Sequence, residues 1–238
     1  MKPLETQNYR NIVVLTGAGV SAASGLSTFR GPDGKWQHEL LAVSDGRRIP
    51  ELLPEMWLRY GKARAGLLNV EPNIAHFALA DWQKKWGDSR QITLVTQNVD
   101  GLHQKAGSPD VIEIHGSLLE TRCINSACTS KPFLDLDVPE SVPICAVCGS
   151  FLRPNITLFH EALPLEAITR VKLALRDCDL FLSIGTSGVV APASDFVRAA
   201  AYAGARTIYL NLTPLDAASP FQENIVGRAE EILPDYLG

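Results

Sequence analysis

Four cysteines, Cys123, Cys128, Cys145 and Cys148, fall within 26 residues of one another, spaced C-x4-C, sixteen residues, then C-x2-C. Four thiolates match zinc's tetrahedral preference and leave no open position for a water, so this pattern predicts one structural zinc ion rather than a catalytic one. The opening MKPLETQNYRN has no apolar signal region. That favours a cytoplasmic chain whose paired cysteines bind metal rather than form disulfides. Cys178 stands apart and is expected to pack in the core.

The other chemistry-bearing residues are short clusters. Gly17-Ala18-Gly19-Val20-Ser21-Ala22 fits G-x-G-x-x-A. In such a loop the first glycine allows a tight turn and the second lets backbone approach a pyrophosphate at a helix N-terminus. A lone match of this kind is equally an ordinary strand-to-helix turn. The companion acidic residue, about 20 positions on after a second strand, is missing. In its place comes Ser27-Thr28-Phe29-Arg30-Gly31-Pro32-Asp33-Gly34. A dinucleotide is compatible with that loop, but hydride transfer is not its natural chemistry. Further clusters are Thr96-Gln97-Asn98-Val99-Asp100, His115-Gly116, Gly185-Thr186-Ser187 and Asn211. An imidazole accepts a proton near neutral pH, which makes His115 a candidate base. An isolated histidine at a strand end, or Asn and Asp in a turn, has a plain structural explanation.

What raises these clusters above turns is their placement. Five apolar runs read as buried strands: Ile12–Leu15, Ile92–Val95, Val111–Ile114, Leu180–Ile184 and Thr207–Leu210. Helix-like stretches lie between them, Ala75–Trp82 and Ala191–Ala203 among them. That alternation predicts an α/β fold, a Rossmann-like doubly wound parallel sheet. Each cluster follows a run, where open parallel sheets bind ligands. Residues 1–36, 73–119 and 153–238 are assigned to this domain. Residues 37–72, helix-like with Trp57, Leu58, Leu67 and Leu68 as core candidates, and the cysteine segment 120–152 are assigned to a smaller inserted domain.

Composition removes other classes. The chain has 238 residues, is 46% hydrophobic and carries a net charge of -4. No basic run suits nucleic acid, and the cysteine segment holds only Arg122 and Lys131 between Thr121 and Leu152, against a zinc-ribbon nucleic-acid binder. No apolar stretch approaches the roughly 20 residues of a membrane span. A monomer is the default for a chain this compact.

GAGVSAASGLSTFRGPDGKW, TQNVDGLHQKAG and IHG, taken in order with the four cysteines, GTSG and Asn211, resemble the sirtuins, above all the compact bacterial type. The resemblance covers nearly the whole chain. It implies NAD-dependent removal of acyl groups from protein lysine, yielding nicotinamide and O-acyl-ADP-ribose, with acyl-lysine side chains of proteins as partners. It implies that His115 is the base on the ribose hydroxyls. Asn98 and Asp100 would lie near the nicotinamide ribose and carboxamide, and Gln97 would contact ribose. Gly17, Ala18, Gly19, Ser21 and Ala22 would form the NAD loop, with Phe29 shielding the site and Arg30 reaching phosphate or carboxamide. Gly185, Thr186 and Ser187 would bind phosphate, Asn211 the adenosine ribose, and Ala229 adenine. His103 lies within a matching motif but reads as structural, and His38 and His76 have no comparable support.

Two departures bear on substrate. Sirtuins that prefer acidic acyl groups resemble one another in a Tyr-x-x-Arg pair. Here Tyr60 holds the first position, Ala63 the second, and Arg64 falls one residue late, about 100 degrees round a helix. The carboxylate clamp is expected to be absent, leaving a roomier pocket for acetyl or longer aliphatic groups. Second, Phe159-His160-Glu161 has histidine where the family has glycine, on the strand that pairs with substrate peptide. His160 either narrows peptide choice or points to solvent. Gly188 and Val189 would form the opposite side, binding peptide backbone by strand addition. Two other functions remain compatible with the pattern: an NAD glycohydrolase or mono-ADP-ribosyltransferase using the same pocket, and an NAD-sensing scaffold protein.

Overall fold

The structure is a computed structural model that describes residues 2–28, 42–188, 191, 193–215 and 220–238; Phe29, Arg30, His38 and Val189 lie outside these. Along the chain run β1 (Asn11–Thr16), α1 (Ala18–Ser21), α2 (Leu53–Leu67), α3 (Ile74–Trp86), β2 (Gln91–Thr96), α4 (Leu102–Lys105), β3 (Val111–Glu113) and β4 (Gly116–Cys123). There follow β5 (Phe133–Leu134), β6 (Leu152–Ile156), α5 (Leu165–Arg176), β7 (Leu180–Ile184), α6 (Phe196–Tyr202), β8 (Arg206–Asn211), β9 (Glu223–Val226) and α7 (Ala229–Leu237).

Among the described residues six strands form one parallel sheet in the order β3-β2-β1-β7-β8-β9. Chain order reverses between β1 and β7, so the doubly wound rule places a ligand crevice above that pair. The apolar runs follow from burial on both faces. In β1, Ile12 and Val14 face one side with Leu180, Leu182, Ile208 and Leu210, where α3 and α7 bring Leu79, Trp82 and Leu233. Val13 and Leu15 face the other with Phe181 and Val95, covered by Val171 and Leu175 of α5 and by Phe196, Val197 and Ala200 of α6. A strand buried on both sides has no polar alternation to show.

The five expected strands are present with boundaries within about two residues. The sixth, β9, escaped the sequence because it is an edge strand with alternating half-buried and exposed positions and little apolar content. It is fastened by Arg206, whose guanidinium donates to Glu223 Oε1 at 2.6 Å and Oε2 at 2.8 Å. Within the stretch 191–203 the described residues form a short 3-10 turn at Ala193–Asp195 followed by α6.

Helix α2 packs against β4 and β6, which with β5 form a three-stranded antiparallel sheet. Val43, Leu53, Met56, Tyr60, Leu67, Leu118, Ile156 and Leu158 make a third buried cluster there. Trp57 is buried as expected; Leu58 and Leu68 are corrections, being 52% and 46% exposed on the helix's outer side.

Arg64 is fully buried in this region. Its guanidinium donates to Leu118 O at 2.8 Å and to Asp137 O, Glu120 O and Thr121 Oγ1, each at 3.0 Å. It also pairs with Asp135 at 3.2 Å and stacks over Trp57, 5.1 Å from the ring centroid. One side chain thus satisfies the carbonyls of a bulged β4 and of the β5 turn. Replacing Arg64 with Leu would strand those acceptors and an acidic partner. We expect Arg64→Leu to lower unfolding free energy by about 3–5 kcal/mol in chemical denaturation; a loss below about 1 kcal/mol would contradict this account.

Candidate active site and metal centre

The site begins where β1 stops. Gly17 caps α1 in extended backbone, donating its N–H to Ile184 O at 3.1 Å, and Gly19 donates to Gly185 O at 2.9 Å. A Cβ on Gly17 would lie 2.8 Å from Gly185 O, and one on Gly19 2.7 Å from Gly185 Cα. Gly185 itself has φ +62. The glycines therefore seat the turns after β1 and β7 backbone against backbone. The room made by Gly19 is taken by Gly185, a use of the second glycine that the dinucleotide pattern does not suggest.

The turn after β2 closes over this crossing. Gln97 N donates to Thr16 O at 3.0 Å, while Asn98 Nδ2 donates to Gly17 O and to Ser21 Oγ, both at 3.1 Å. Ser21 Oγ in turn donates to Asp100 Oδ2 at 2.7 Å, and Leu102 N donates to Asp100 Oδ1 at 3.0 Å. Burial raises the Asp100 carboxyl, and these two donors oppose the shift. Gln97, Thr186 and Gly188 also line one small cavity of about 10 Å³, between the ends of β2 and β7.

His115 follows β3 by two residues. Its Nδ1 lies 2.9 Å from Gln97 O. A carbonyl only accepts, so Nδ1 carries the proton and Nε2 of the neutral ring keeps its lone pair. Burial lowers the imidazole's pKa below its ordinary value, against the opposing pull of the Gln97 carbonyl. Burial outweighs the carbonyl and leaves a neutral ring with one free basic nitrogen near pH 7. Gly116 has φ +75, and a Cβ there would meet Asn155 O at 2.1 Å, so only glycine lets the chain turn into β4 directly after this histidine.

His76 was passed over in the sequence. It lies in the first turn of α3, where Asn73 N donates to its Nδ1 at 3.3 Å as half of a capping box. Its Nε2 is 3.4 Å from Ser21 Oγ. An acceptor Nδ1 puts the proton on Nε2, so Ser21 Oγ accepts from His76 and Asn98 and passes its own proton toward Asp100. The Asn73-x-x-His76 spacing was the available signal. Burial pushes His76 down to about 4. His103, 1% exposed and 2.9 Å from Thr16 Oγ1, is pushed down to about 3 by burial and by His76 beside it. Both rings are neutral structural members of the network. Glu113, also missed, is pushed up to about 7 by burial, with Glu120 and Asp100 adding to the shift.

The turn after β7 presents Thr186, whose carbonyl accepts from Tyr209 Oη and Asn211 Nδ2, each at 2.7 Å. Thr186 Oγ1 is 2.8 Å from Ser183 Oγ. Ser187 and Gly188 are half-buried beside it, and Ala22 is exposed at the end of α1. Ala229 is buried in the first turn of α7, in the core cluster that includes Val20 of α1. On the other side, Tyr60 is buried with Oη 2.8 Å from Ser44 Oγ, and Phe159 bridges to Asp45. His160 is exposed and, at φ +69, is the one non-glycine residue in left-handed backbone among those described. That conformation costs an L residue about 1 kcal/mol and explains why glycine suits the position.

The four thiols converge. All Sγ atoms lie within 4.8 Å of one another, with Cys123–Cys148 at 3.5 Å and Cys128–Cys145 at 3.8 Å. A tetrahedral ion at about 2.3 Å from each sulfur needs sulfurs about 3.8 Å apart. Asn125 N and Ser130 N each point at a sulfur from 3.4 Å, as in knuckle turns that favour thiolate. The donor set fits a structural zinc. Cys178 is buried in the second core cluster.

A doubly wound sheet with a basic imidazole and a carboxylate network at its crossing, and a four-thiol module beside it, defines an α/β enzyme of the dinucleotide-using class. A profile of the Sir2 family matches residues 17–192. An NAD-dependent protein deacylase of Pasteurella multocida is 44% identical over 232 residues, covering 95% of this chain and 96% of that one. NAD-dependent protein deacylase 2 of Pyrobaculum aerophilum is 42% identical, covering 94% and 89%. A solved Sir2 homologue in complex with NAD superposes with TM-score 0.85 at 32% identity, covering 96% of this chain and 88% of that one. A solved Sir2 variant with deacetylated p53 peptide and 3'-O-acetyl ADP-ribose superposes with TM-score 0.78 at 31% identity, covering 95% and 92%. The chain belongs to the Sir2 family.

The histidine environment sets a testable titration. The ring of His115 should lose its proton with a midpoint below 6.5 in NMR of the ring carbon-bound protons, assigned with His115→Gln; a midpoint at or above 6.5 would contradict the burial argument.

Proposed function

We propose that this chain removes acyl groups from protein lysine with NAD as cosubstrate, producing nicotinamide and O-acyl-ADP-ribose. The supporting observation is the junction of Gly17, Asn98, Gln97 and His115, where three strand-end loops leave one imidazole nitrogen unprotonated. NAD, when bound, supplies an electrophilic ribose carbon and a leaving nicotinamide. His115 Nε2 takes a proton from a ribose hydroxyl, held in register by its bond to the Gln97 carbonyl. Ser21, itself held by Asn98, donates to Asp100 and would orient it toward the carboxamide. Thr186 and Ser187 would hold the phosphates, and Asn211 the adenosine ribose.

The acyl pocket lies at α2. Arg64 is turned away into the β4–β5 carbonyls, and Ala63, exposed one turn beyond Tyr60, offers no cation. That arrangement favours acetyl and longer aliphatic groups over succinyl. Peptide runs between Phe159-His160-Glu161 and Gly188.

A panel of acylated peptides incubated with NAD, followed by mass spectrometry, tests this. We expect O-acyl-ADP-ribose from acetyl and aliphatic substrates, and His115→Ala to reduce turnover at least ~100-fold with the fold intact. ADP-ribose released without peptide would instead mark a glycohydrolase. On the same panel, desuccinylation should run about tenfold or more below deacetylation, for want of a buried charge partner; equal rates would show that a cation reaches the pocket.

A further inference from the structure

Arg122 and Arg153 stand directly opposite each other on β4 and β6. Like charges in that position repel. One carboxylate serves both. Glu161 accepts from Arg153 Nη1 at 2.8 Å and Nη2 at 2.7 Å, from Leu158 N at 2.9 Å, and from Arg122 Nη2 only at 3.3 Å. Arg153, 2% exposed, holds Glu161 in a two-pronged grip and also donates to Ile156 O and, weakly, to Pro154 O. Arg122 keeps the remainder. Its Nε is buried with no hydrogen-bond partner, while 35% of the side chain stays open to solvent. The nearby carboxylate of Asp45 is occupied, accepting from Arg47 Nε at 3.0 Å and Nη2 at 2.7 Å. Two guanidiniums therefore share one carboxylate, and the more open of them is short of an acceptor.

This surplus lies immediately beside Phe159-His160-Glu161. Resting on the reading that substrate peptide runs along that segment, we propose that Arg122 is a specificity residue that binds the carboxylate of an Asp or Glu flanking the acyl-lysine. An incoming carboxylate would complete the charge pairing that Glu161 leaves short, with hydrogen bonds to a guanidinium already partly desolvated. A basic flanking residue would add a third cation to the pair. The preference comes from charge and is expected to fade at high salt.

The test compares acetyl-lysine peptides with NAD, carrying Glu, Ala or Lys in turn at each of the two positions on either side of the lysine. For wild type, kcat/KM should be about threefold to fivefold higher for Glu than for Ala at one or more positions, and lower for Lys, the scale of a partly exposed charge pair. Arg122→Gln should bring the Glu-to-Ala ratio to about one, and Arg122→Lys should retain part of it. Removing a repelling charge leaves the strands paired, so loss of fold is not expected, and thermal melting of both variants checks it. A wild type indifferent to flanking charge, or a Glu preference that survives Arg122→Gln, overturns the proposal while deacylation stands. Failure of wild type to deacylate any of the peptides overturns the functional reading, and this inference with it.

Discussion

The turns that end β1 and β7 meet with no side chains between them, and the rest of the site depends on that contact. Gly17, Gly19 and Gly185 each lack the Cβ that would collide with the other turn. Backbone hydrogen bonds then lock the crossing, Gly17 to Ile184 and Gly19 to Gly185. Only with the first turn held this low can Asn98 reach Gly17 O and Ser21 Oγ together. A parallel sheet brings its strand ends to one edge, but several ångströms of side chain would normally separate their loops. Here the glycines remove that separation.

Above the crossing the polar groups are arranged by direction as much as by distance. The proton positions follow in sequence from groups that can only accept or only donate. A carbonyl fixes the tautomer of His115, a backbone N–H fixes that of His76, and a carboxylate fixes the hydroxyl of Ser21. Burial keeps His76 and His103 neutral, so the network adds no cation that would compete for Asp100. The same desolvation acts on His115 and favours its neutral ring.

The antiparallel sheet beside this edge is organised around arginines. Arg64 satisfies backbone that a bulged and turning chain leaves unpaired, and it ties α2 to the segment that leads into the thiol cluster. Arg153 does the same for the strand leading to Phe159, by gripping Glu161. Arg64 has acceptors for all of its guanidinium N–H groups and Arg153 has at least one for each nitrogen, as desolvated charge requires. Arg122 is the exception, and its incompleteness stands out because its neighbours are so fully satisfied.

The sequence alone determined the layered α/β architecture, because strands buried on both faces must be apolar throughout and their ligand-facing ends must carry polar or glycine clusters. It also determined the four-thiol group, whose spacing admits few other uses, and the glycine positions at Gly17, Gly19 and Gly116. Strand β9 stayed invisible because an edge strand needs little apolar surface, and Leu58 and Leu68 misled because helical periodicity does not say how wide the buried face is. Which partner each polar side chain takes was decided only by the tertiary structure. His76 meets Ser21 across 55 positions of chain, Arg64 turns inward to the carbonyls of β4, and Arg122 faces its own kind across two strands. Local residue patterns record burial, which each position feels by itself; hydrogen-bond and charge pairing belong to pairs of positions, and exist only once the fold has brought both members together.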